Sequence, residues 1–473
     1  MICTKWIPLS FILFILVLSA CNQTPGKNGN GSTKSEKKIV KEVFVDSVWA
    51  ANRVWFALQT VNDQQFVAYY DRDRMMTVAS RLLGSEVWQR TTLPNKLRWD
   101  SHNSVAMGID SHGYIHVSGN MHVDPLVYFR SEKPFDVTTM VEVNEMIGIN
   151  EEGVTYPRFF YNQEGDLLFS YRSGTCGNGN ILVNRFIPES ETWERYLKDP
   201  LFEGIEENDD RAAYHSFVRD TSGNFHFIWM WRWTTHVETS HQICYATTPD
   251  LINWKNAAGE SVSLPFRPDD ERLIVDGTPS KGGMHNSRYQ IILTPKDEPV
   301  IGYVKYDENG LTQLYLAKFD DGQWLSKKIS DWNFRWKFLH PPAGSDERMT
   351  IGGSFGFAGF SDEGYLAIDW ETETGGSGRY IIDTETLSHV DKDVIIHAAY
   401  PDNIYDRITG DPEMSVRLRF DNGRAPDEQT QYVLKWESMR PSHGRFAPAV
   451  IPDGPLSPLM ILKIGNNGGD GQI

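Results

Sequence analysis

The stretch VAMGIDSHGYIHVS, residues 105–118, decides the fold class because it has the pattern of a β-hairpin. Apolar and polar residues alternate on both sides of a polar turn that contains Gly113. Alternation with a period of two is typical of strands, and a glycine-containing turn between two such runs indicates a hairpin. The sequence therefore predicts two antiparallel strands joined by a tight turn.

The same unit, an apolar run, a polar turn and a second apolar run, recurs along the chain. Its further turns are Asn162–Gly165, Asp220–Gly223, Pro295–Glu298 and Ser361–Gly364. The turns stand roughly 50–70 residues apart, a spacing that suits four-stranded propeller blades. We therefore predict an all-β fold, a seven-bladed β-propeller of four-stranded antiparallel blades. A single large jelly roll or a β-helix is the alternative.

Composition and charge exclude several classes of protein. A chain of 473 residues that is 40% hydrophobic and has 15 Trp is able to bury a large core, which excludes a disordered chain. Four cysteines are too few for a disulfide scaffold. The formal net charge of −17 argues against a nucleic-acid binder, which needs a basic surface. We expect a monomer.

The N-terminus has the pattern of a targeting segment. Lys5 precedes the apolar run FILFILVL, residues 11–18, which is too short to span a bilayer well. The sequence Leu18–Cys21 has the form of a bacterial lipobox, so we predict a signal peptide over residues 1–20 and lipidation of Cys21. An ordinary signal peptide with a chance cysteine is the alternative.

Residues 21–38 are rich in Gly, Asn, Ser and Lys and predict a flexible, lipid-anchored tether. Residues 39–473 are expected to form a single propeller domain. No later segment is apolar enough to cross a bilayer, so the membrane is reached only through the lipid anchor. We expect the protein on a bacterial cell envelope membrane, the outer membrane, on its periplasmic or surface side.

Three successive hairpins carry chemically active side chains at their strand ends. His102 opens the first hairpin and His122 closes it, so the two should lie near each other. By the same geometry Tyr156 should meet Arg172, and the third hairpin begins at Tyr214. The predicted site is a set of His, Tyr and Arg side chains.

Such a set suits proton abstraction next to a carboxylate. Histidine and tyrosine transfer protons, and arginine binds a carboxylate through a two-pronged contact that neutralises its charge. The C5 proton of a uronic acid then becomes acidic, and the oxygen at C4 leaves with a proton from a second group. No pair of carboxylates can be placed at these strand ends, which argues against a retaining or inverting glycosidase.

The stretch SHNSVAMGIDSHGYIHVSGNMHVDPLVYFRS, residues 101–131, resembles BNR-type propeller proteins that include the ulvan lyases of polysaccharide lyase families 24 and 25. The segments TYPRF, YRSGTCGNGN and HQICYATTPDL continue the likeness, and TPDLINW, residues 248–254, resembles a degraded Asp-box turn. The resemblance implies cleavage of a sulfated green-algal polysaccharide between 3-sulfated rhamnose and glucuronic or iduronic acid. The alternatives are a non-catalytic glycan-binding propeller lipoprotein and a propeller glycoside hydrolase.

The resemblance also implies roles for individual residues. His102 and Tyr156 match the catalytic base and acid, and the C5 epimer of the uronate decides which of them removes the proton. His122, Arg172 and Tyr214 match the residues that hold and neutralise the uronate carboxylate. Asn103 and Asn120 are further candidate sugar contacts to which the resemblance gives no role.

Two cysteines remain in the folded part, because Cys3 leaves with the signal peptide and Cys21 is the anchor. Cys176 lies in a glycine-rich loop, and Cys244 follows His241 by three residues. Outside the cytoplasm the two cysteines could pair as a disulfide or remain free thiols. The resemblance implies a structural zinc ion, for which Cys176, His241 and Cys244 are the candidate ligands.

Overall fold

The computed structural model describes residues 31–35, 37–206, 209–338, 353–372, 376–423, 425–426, 430–444 and 447–466. Within these ranges the secondary structure consists of β-strands and four short 3-10 helices, so the predicted all-β class is confirmed. None of the described helices is long and apolar enough to cross a membrane. The predicted signal peptide and Cys21 lie outside the described residues.

The described chain divides into two compact units. Unit I consists of residues 35–174, 182–198 and 400–466, and unit II consists of residues 31–34, 175–181 and 199–399. The single domain predicted over residues 39–473 stays a prediction.

Unit I is built from antiparallel strand pairs, and in most of its sheets the strands follow one another in the chain. Sheet by sheet, its strands are Lys37–Trp49, Leu456–Asn466, Gln431–Ser438 and Ser415–Phe420; Ala57–Val61, Gln64–Tyr70, Met75–Leu82 and Gln89–Lys96; Val105–Ile109, Ile115–Gly119, Tyr128–Ser131 and Met140–Glu142; and His122–Asp124, Val154–Tyr161, Leu167–Thr175, Asn178–Ile187 and Thr192–Arg195. The 3-10 helices of unit I are Val137–Thr139 and Asp402–Tyr405.

Unit II is also built mainly from antiparallel strands, and Gly31–Lys34 adds a parallel pairing with Val394–His397. Its strands are Gly31–Lys34, Val394–His397, Gly353–Ser361, Leu366–Thr372, Ser377–Asp383 and Ser388–His389; Tyr289–Leu293, Pro299–Tyr306, Thr312–Asp320 and Gln323–Lys328; Ala212–Arg219, Phe225–Arg232, Ser240–Thr248, Trp254–Lys255, Ser261–Val262 and Ile274–Asp276; and the pair Ile205–Glu206 and Asp209–Asp210. Its 3-10 helices are Val237–Thr239 and Glu271–Leu273.

The hairpin over residues 105–119 forms as the alternation predicts. Val105 pairs with Gly119 and Ile109 with Ile115. The Asp110 carboxylate fixes the turn by accepting hydrogen bonds from the backbone N–H of His112 and that of Tyr114, both at 2.9 Å. Gly113 closes the turn at a φ of +89°, a conformation that costs glycine little. The four other predicted hairpins also form.

The two ends of unit I meet in one sheet. Strand Lys37–Trp49 pairs along its length with Leu456–Asn466, so the first and last strands of the unit are hydrogen-bonded to each other. Trp436, in strand Gln431–Ser438 of this sheet, stacks on Phe56 with ring centroids 4.6 Å apart, and both side chains are buried. Burial of such rings is worth roughly 1.5–3 kcal/mol each, which stabilises the unit that holds the candidate site.

Part of the predicted flexible tether, residues 21–38, forms strands, and its residues 21–30 and 36 lie outside the described residues. Gly31–Lys34 forms a parallel pair with Val394–His397, and the next strand starts at Lys37. Composition alone suggested a tether because these residues have no apolar side chains. An edge strand is held by backbone hydrogen bonds, which need no apolar side chain.

The Asp-box-like turn at residues 248–254 yields a stability prediction. The Asp250 carboxylate accepts hydrogen bonds from the backbone N–H of Ile252 at 2.8 Å and of Asn253 at 2.7 Å. Asp250→Ala leaves these donors without their partner and is expected to lower the free energy of unfolding by about 1–3 kcal/mol. Urea unfolding measures the change. Asp391→Ala, at an exposed position of the same unit, is the control, and equal stability of the two variants would contradict the prediction.

Candidate active site

Unit I brings four of the predicted site residues into one cluster. The rings of His102 and His122 lie 4.0 Å apart between centroids, and that of Tyr156 lies 5.9 Å from His102. The Arg172 guanidinium lies 5.0 Å from the centre of the Tyr156 ring. The predicted approaches of His102 to His122 and of Tyr156 to Arg172 are therefore confirmed, and the two pairs adjoin.

Unusual backbone geometry aims the Tyr156 side chain. Thr155 pairs with Arg172, but the next pair is Arg158 with Ser170, so Tyr156 lies in a bulge of its strand. Tyr156 has a φ of +60°, and nearby Val123 has a φ of +63°. Positive φ is rare for a tyrosine and strained for a β-branched valine, and such strain concentrates at functional sites. Bulges likewise re-aim side chains beside active sites.

A carboxylate that the sequence analysis missed joins the two histidines. Asp100 Oδ1 lies 2.5 Å from His102 Nδ1, and Asp100 Oδ2 lies 3.0 Å from His122 Nδ1. Asp100 also accepts hydrogen bonds from the backbone N–H of His102 at 2.9 Å and of Gly444 at 3.2 Å. A local signal was present, because the tripeptide Asp-Ser-His at residues 100–102 recurs in the hairpin turn at residues 110–112.

A third histidine, also missed, packs against the cluster. The His443 ring lies 4.8 Å from the His102 ring, with an angle of 28° between the planes. His443 comes from the C-terminal part of the chain and is distant in sequence from the motifs that predict the site. His102 is thus enclosed between two imidazole rings and is 7% exposed.

Burial and neighbouring charges shift the proton affinities of this cluster. Burial, followed by the charge of His122, lowers the pKa of His102 to about 4. Burial and then His102 lower the pKa of His443 to about 3. Burial alone would raise the pKa of Asp100, but hydrogen bonds from His102 and His122 outweigh it and hold that pKa well below its usual range. The cluster therefore combines an ionised carboxylate with a neutral His102.

The sequence profile of a family described as "BNR repeat-containing family member" matches residues 64–332, more than half of the chain. The chain belongs to this BNR-repeat family. The match covers His102, His122, Tyr156 and Arg172, so all four lie in the part of the chain that defines the family.

Several characterised proteins are similar to part of this BNR-repeat protein. The long isoform of the ulvan lyase of Pseudoalteromonas sp. (strain PLSV) is 27% identical over 136 residues, which is 26% of this chain and 13% of that protein. The short isoform of the Alteromonas sp. (strain LOR) ulvan lyase is 26% identical over 137 residues, which is 27% of this chain and 25% of that protein. The aligned part thus spans a quarter or less of these relatives.

Solved structures share the fold over most of the chain. The crystal structure of the polysaccharide lyase Uly1 superposes with a TM-score of 0.57 at 13% identity and covers 90% of this chain and 99% of its own. A PL25 ulvan lyase superposes with a TM-score of 0.53 at 13% identity and covers 84% and 93%. At this identity the likeness establishes a common fold.

The other two predicted substrate contacts of the BNR-repeat protein are Tyr214 and Asn103. Tyr214 belongs to unit II, where the Arg232 guanidinium lies 4.5 Å from its ring centre and donates a hydrogen bond to its hydroxyl. Asn103 is 1% exposed, and its backbone carbonyl accepts a hydrogen bond from the Tyr70 hydroxyl at 2.8 Å. The sugar-contact role of each stays a prediction.

The three predicted zinc ligands have other neighbours. Cys176 Sγ accepts a hydrogen bond from Arg232 at 3.3 Å, and His241 packs edge-on against Trp233. Burial raises the pKa of the Cys244 thiol, which disfavours the thiolate that zinc requires. Both cysteines are free thiols. Their ligand atoms and that of His241 do not form a group within 4.8 Å among the described residues, so the site does not fit zinc as arranged, and zinc stays a prediction.

One group in the described chain does bring three potential ligand atoms within 4.8 Å of one another, and it consists of Asp100, His102 and His443. The planes of the two rings differ by only 28°, and the lone pairs of stacked, nearly parallel rings do not converge on one ion. His102 Nδ1 and Asp100 Oδ1 are already occupied by the hydrogen bond that joins them. We interpret the group as an acid–base cluster.

Proposed function

We propose that this BNR-repeat protein is a polysaccharide lyase that cleaves ulvan by β-elimination, between 3-sulfated rhamnose and glucuronic or iduronic acid. The observation that carries the proposal is the cluster of a buried neutral His102, Tyr156 and the Arg172 cation. The similar proteins named ulvan lyases support the choice of substrate. So does a solved PL25 ulvan lyase bound to GlcA(1-4)Rha3S.

In the proposed reaction Arg172 and His122 bind the uronate carboxylate and offset its charge, which makes the C5 proton more acidic. His102 removes that proton, the electron pair forms the C4–C5 double bond, and the C4–oxygen bond breaks. Tyr156 gives its proton to the leaving oxygen. For the opposite C5 epimer the hydrogen faces Tyr156, which would remove it as a tyrosinate, and His102 would have to begin as an imidazolium to give its proton to the leaving oxygen. Net acidity of the chain does not oppose this, because net charge governs long-range steering and not the local site.

Incubation of the protein with ulvan tests the proposal. The lyase produces an unsaturated uronate, so the ultraviolet absorbance of its conjugated double bond rises with time. Cleavage without this absorbance would indicate a propeller hydrolase. Binding to immobilised ulvan without cleavage would indicate a glycan-binding propeller.

The pH dependence of the reaction follows from the environment of His102. Burial lowers the pKa of His102 from 6.5 to about 4, so the neutral form that accepts a proton persists above about pH 4. We expect kcat/KM to rise as the pH increases through about 4 and then to remain level toward neutrality. Initial rates on ulvan across the pH range, at saturating and at low ulvan concentration, measure the pH dependence of kcat and of kcat/KM. An acid limb near pH 6.5, the ordinary value for histidine, would contradict the prediction.

We further propose that the fold is a seven-bladed propeller of four-stranded blades and that Cys21 carries a lipid anchor. The four-stranded meanders of the described chain and the fold shared with Uly1 support the propeller. The lipobox pattern of Leu18–Cys21 supports the anchor. Metabolic labelling with palmitate tests it: label is expected in the native chain and absent after Cys21→Ser, and an unlabelled native chain would contradict it.

A further inference from the structure

We infer that Asp100 is a positioning residue that fixes the tautomers of both His102 and His122 and directs the Nε2 atom of His102 to the substrate. The inference concerns a residue to which neither the family likeness nor the sequence motif gives a role. The expected effect of Asp100 on turnover rests on the proposed lyase function, whereas the tautomers that it fixes do not.

The Asp100 carboxylate is surrounded by four hydrogen-bond partners. Oδ1 faces His102 Nδ1 at 2.5 Å and the His102 backbone N–H at 2.9 Å. Oδ2 faces His122 Nδ1 at 3.0 Å and the Gly444 backbone N–H at 3.2 Å. All four neighbours are nitrogen atoms, and an ionised carboxylate only accepts hydrogen bonds. Each imidazole must therefore present an N–H at Nδ1.

This arrangement determines which atom reacts. A neutral imidazole has one N–H and one lone pair, so an N–H at Nδ1 leaves the lone pair of His102 on Nε2. The same holds for His122 when it is neutral. A carboxylate that holds the Nδ1 side of a catalytic histidine in this way sets the orientation of the ring as well as the tautomer.

Asp100 also balances the charge that the reaction creates. When the C5–H bond breaks, its proton forms a bond to His102 Nε2 and leaves His102 as an imidazolium. The groups that face His102 are Asp100, His122, His443, Tyr156 and Arg172. Asp100 is the carboxylate among them, so its removal would leave the imidazolium facing the Arg172 cation without an opposite charge in contact.

The test is the variant Asp100→Asn, which keeps the size of the side chain. Its amide offers one acceptor oxygen and one NH₂ donor, so it cannot accept from both Nδ1 atoms. We expect kcat on ulvan to fall by about 10²- to 10⁴-fold with KM little changed. The hydrogen bond from Asp100 raises the pKa of His102, so the acid limb of kcat/KM should move to lower pH in the variant.

The matched control is Asp110→Asn. Asp110 Oδ2 lies 3.2 Å from Nε2 of the buried His116, an aspartate–histidine contact in the same unit but outside the cluster. We expect this variant to lose stability and to keep the native kcat and acid limb. Comparison of the two variants separates a role in positioning from a general loss of stability.

Nitrogen NMR of the native protein tests the structural content without any turnover. At neutral pH we expect His102 and His122 each to show a protonated Nδ1, and His102 to show an unprotonated Nε2. Finding the Nε2–H tautomer at His102, or an unchanged kcat in a folded Asp100→Asn, would overturn the inference. If ulvan is not cleaved by the native protein, the proposed function is wrong, while the NMR result still decides the tautomer.

Discussion

Replacing His102 with glutamine is expected to lower kcat on ulvan by about 10³-fold, because the variant has no side chain that accepts the C5 proton. His102 adjoins Tyr156 and is held at Nδ1 by Asp100, which leaves its Nε2 lone pair as the proposed proton acceptor. Glutamine keeps polarity and approximate size, which limits the loss of packing. Initial rates of absorbance increase measure the effect.

The control is His112→Gln, at the exposed turn of the hairpin whose opposite end carries His102 and His122. We expect this variant to retain the native rate. A His102→Gln variant that folds and retains the native rate would show that the base is elsewhere and would overturn the assignment.

Replacing Arg172 with glutamine is expected to reduce kcat/KM by about 10²- to 10³-fold, the effect of removing a preorganised group that stabilises developing charge. Arg172 is 1% exposed and lies over the Tyr156 ring, so it supplies a fixed positive charge beside the acid–base pair. Without it, negative charge that develops on the uronate in the transition state is no longer offset by a fixed cation. Michaelis kinetics on purified ulvan oligosaccharides measure the change.

Arg172→Lys refines this experiment, because lysine keeps the charge and loses the planar two-pronged contact. We expect its activity to lie between those of the native protein and Arg172→Gln. The control is Arg185→Gln in the same unit, where the arginine pairs with Glu194. Equal activity of Arg172→Gln and the Arg185 control would contradict the role of Arg172.

The sequence was sufficient to predict the hairpins and four of the six residues of the cluster. Alternation of apolar residues around the turn at Gly113 sets the register of strands 105–109 and 115–119, and register in turn brings His102 beside His122. The approach of Tyr156 to Arg172 follows from the same local pairing. These contacts join the two strands of a hairpin or neighbouring hairpins, and the local sequence pattern predicts which strands pair.

Other features depend on contacts that no local pattern contains. His443 reaches His102 from the C-terminal part of the chain, so its place depends on the packing of unit I. The positive φ of Tyr156 depends on how neighbouring strands fit, and Pro157, a residue that strands tolerate at bulges and edges, is the one local sign of the bulge in TYPRF. The composition of Gly31–Lys34 predicts a tether because these residues are polar. The strand that they form pairs through backbone atoms, and amino-acid composition does not indicate such pairing.

The mass of the cleavage products tests the central claim, that this cluster performs β-elimination, most directly. Elimination adds no water, so each new non-reducing end is an unsaturated uronate, and each fragment that carries such an end is one water lighter than its hydrolysis counterpart. Mass spectrometry of ulvan digests is expected to show the lighter mass for every fragment with a new non-reducing end, and after the same digestion time far less of these fragments with His102→Gln. Fragments whose new non-reducing ends carry the added water would contradict the account and identify the protein as a hydrolase.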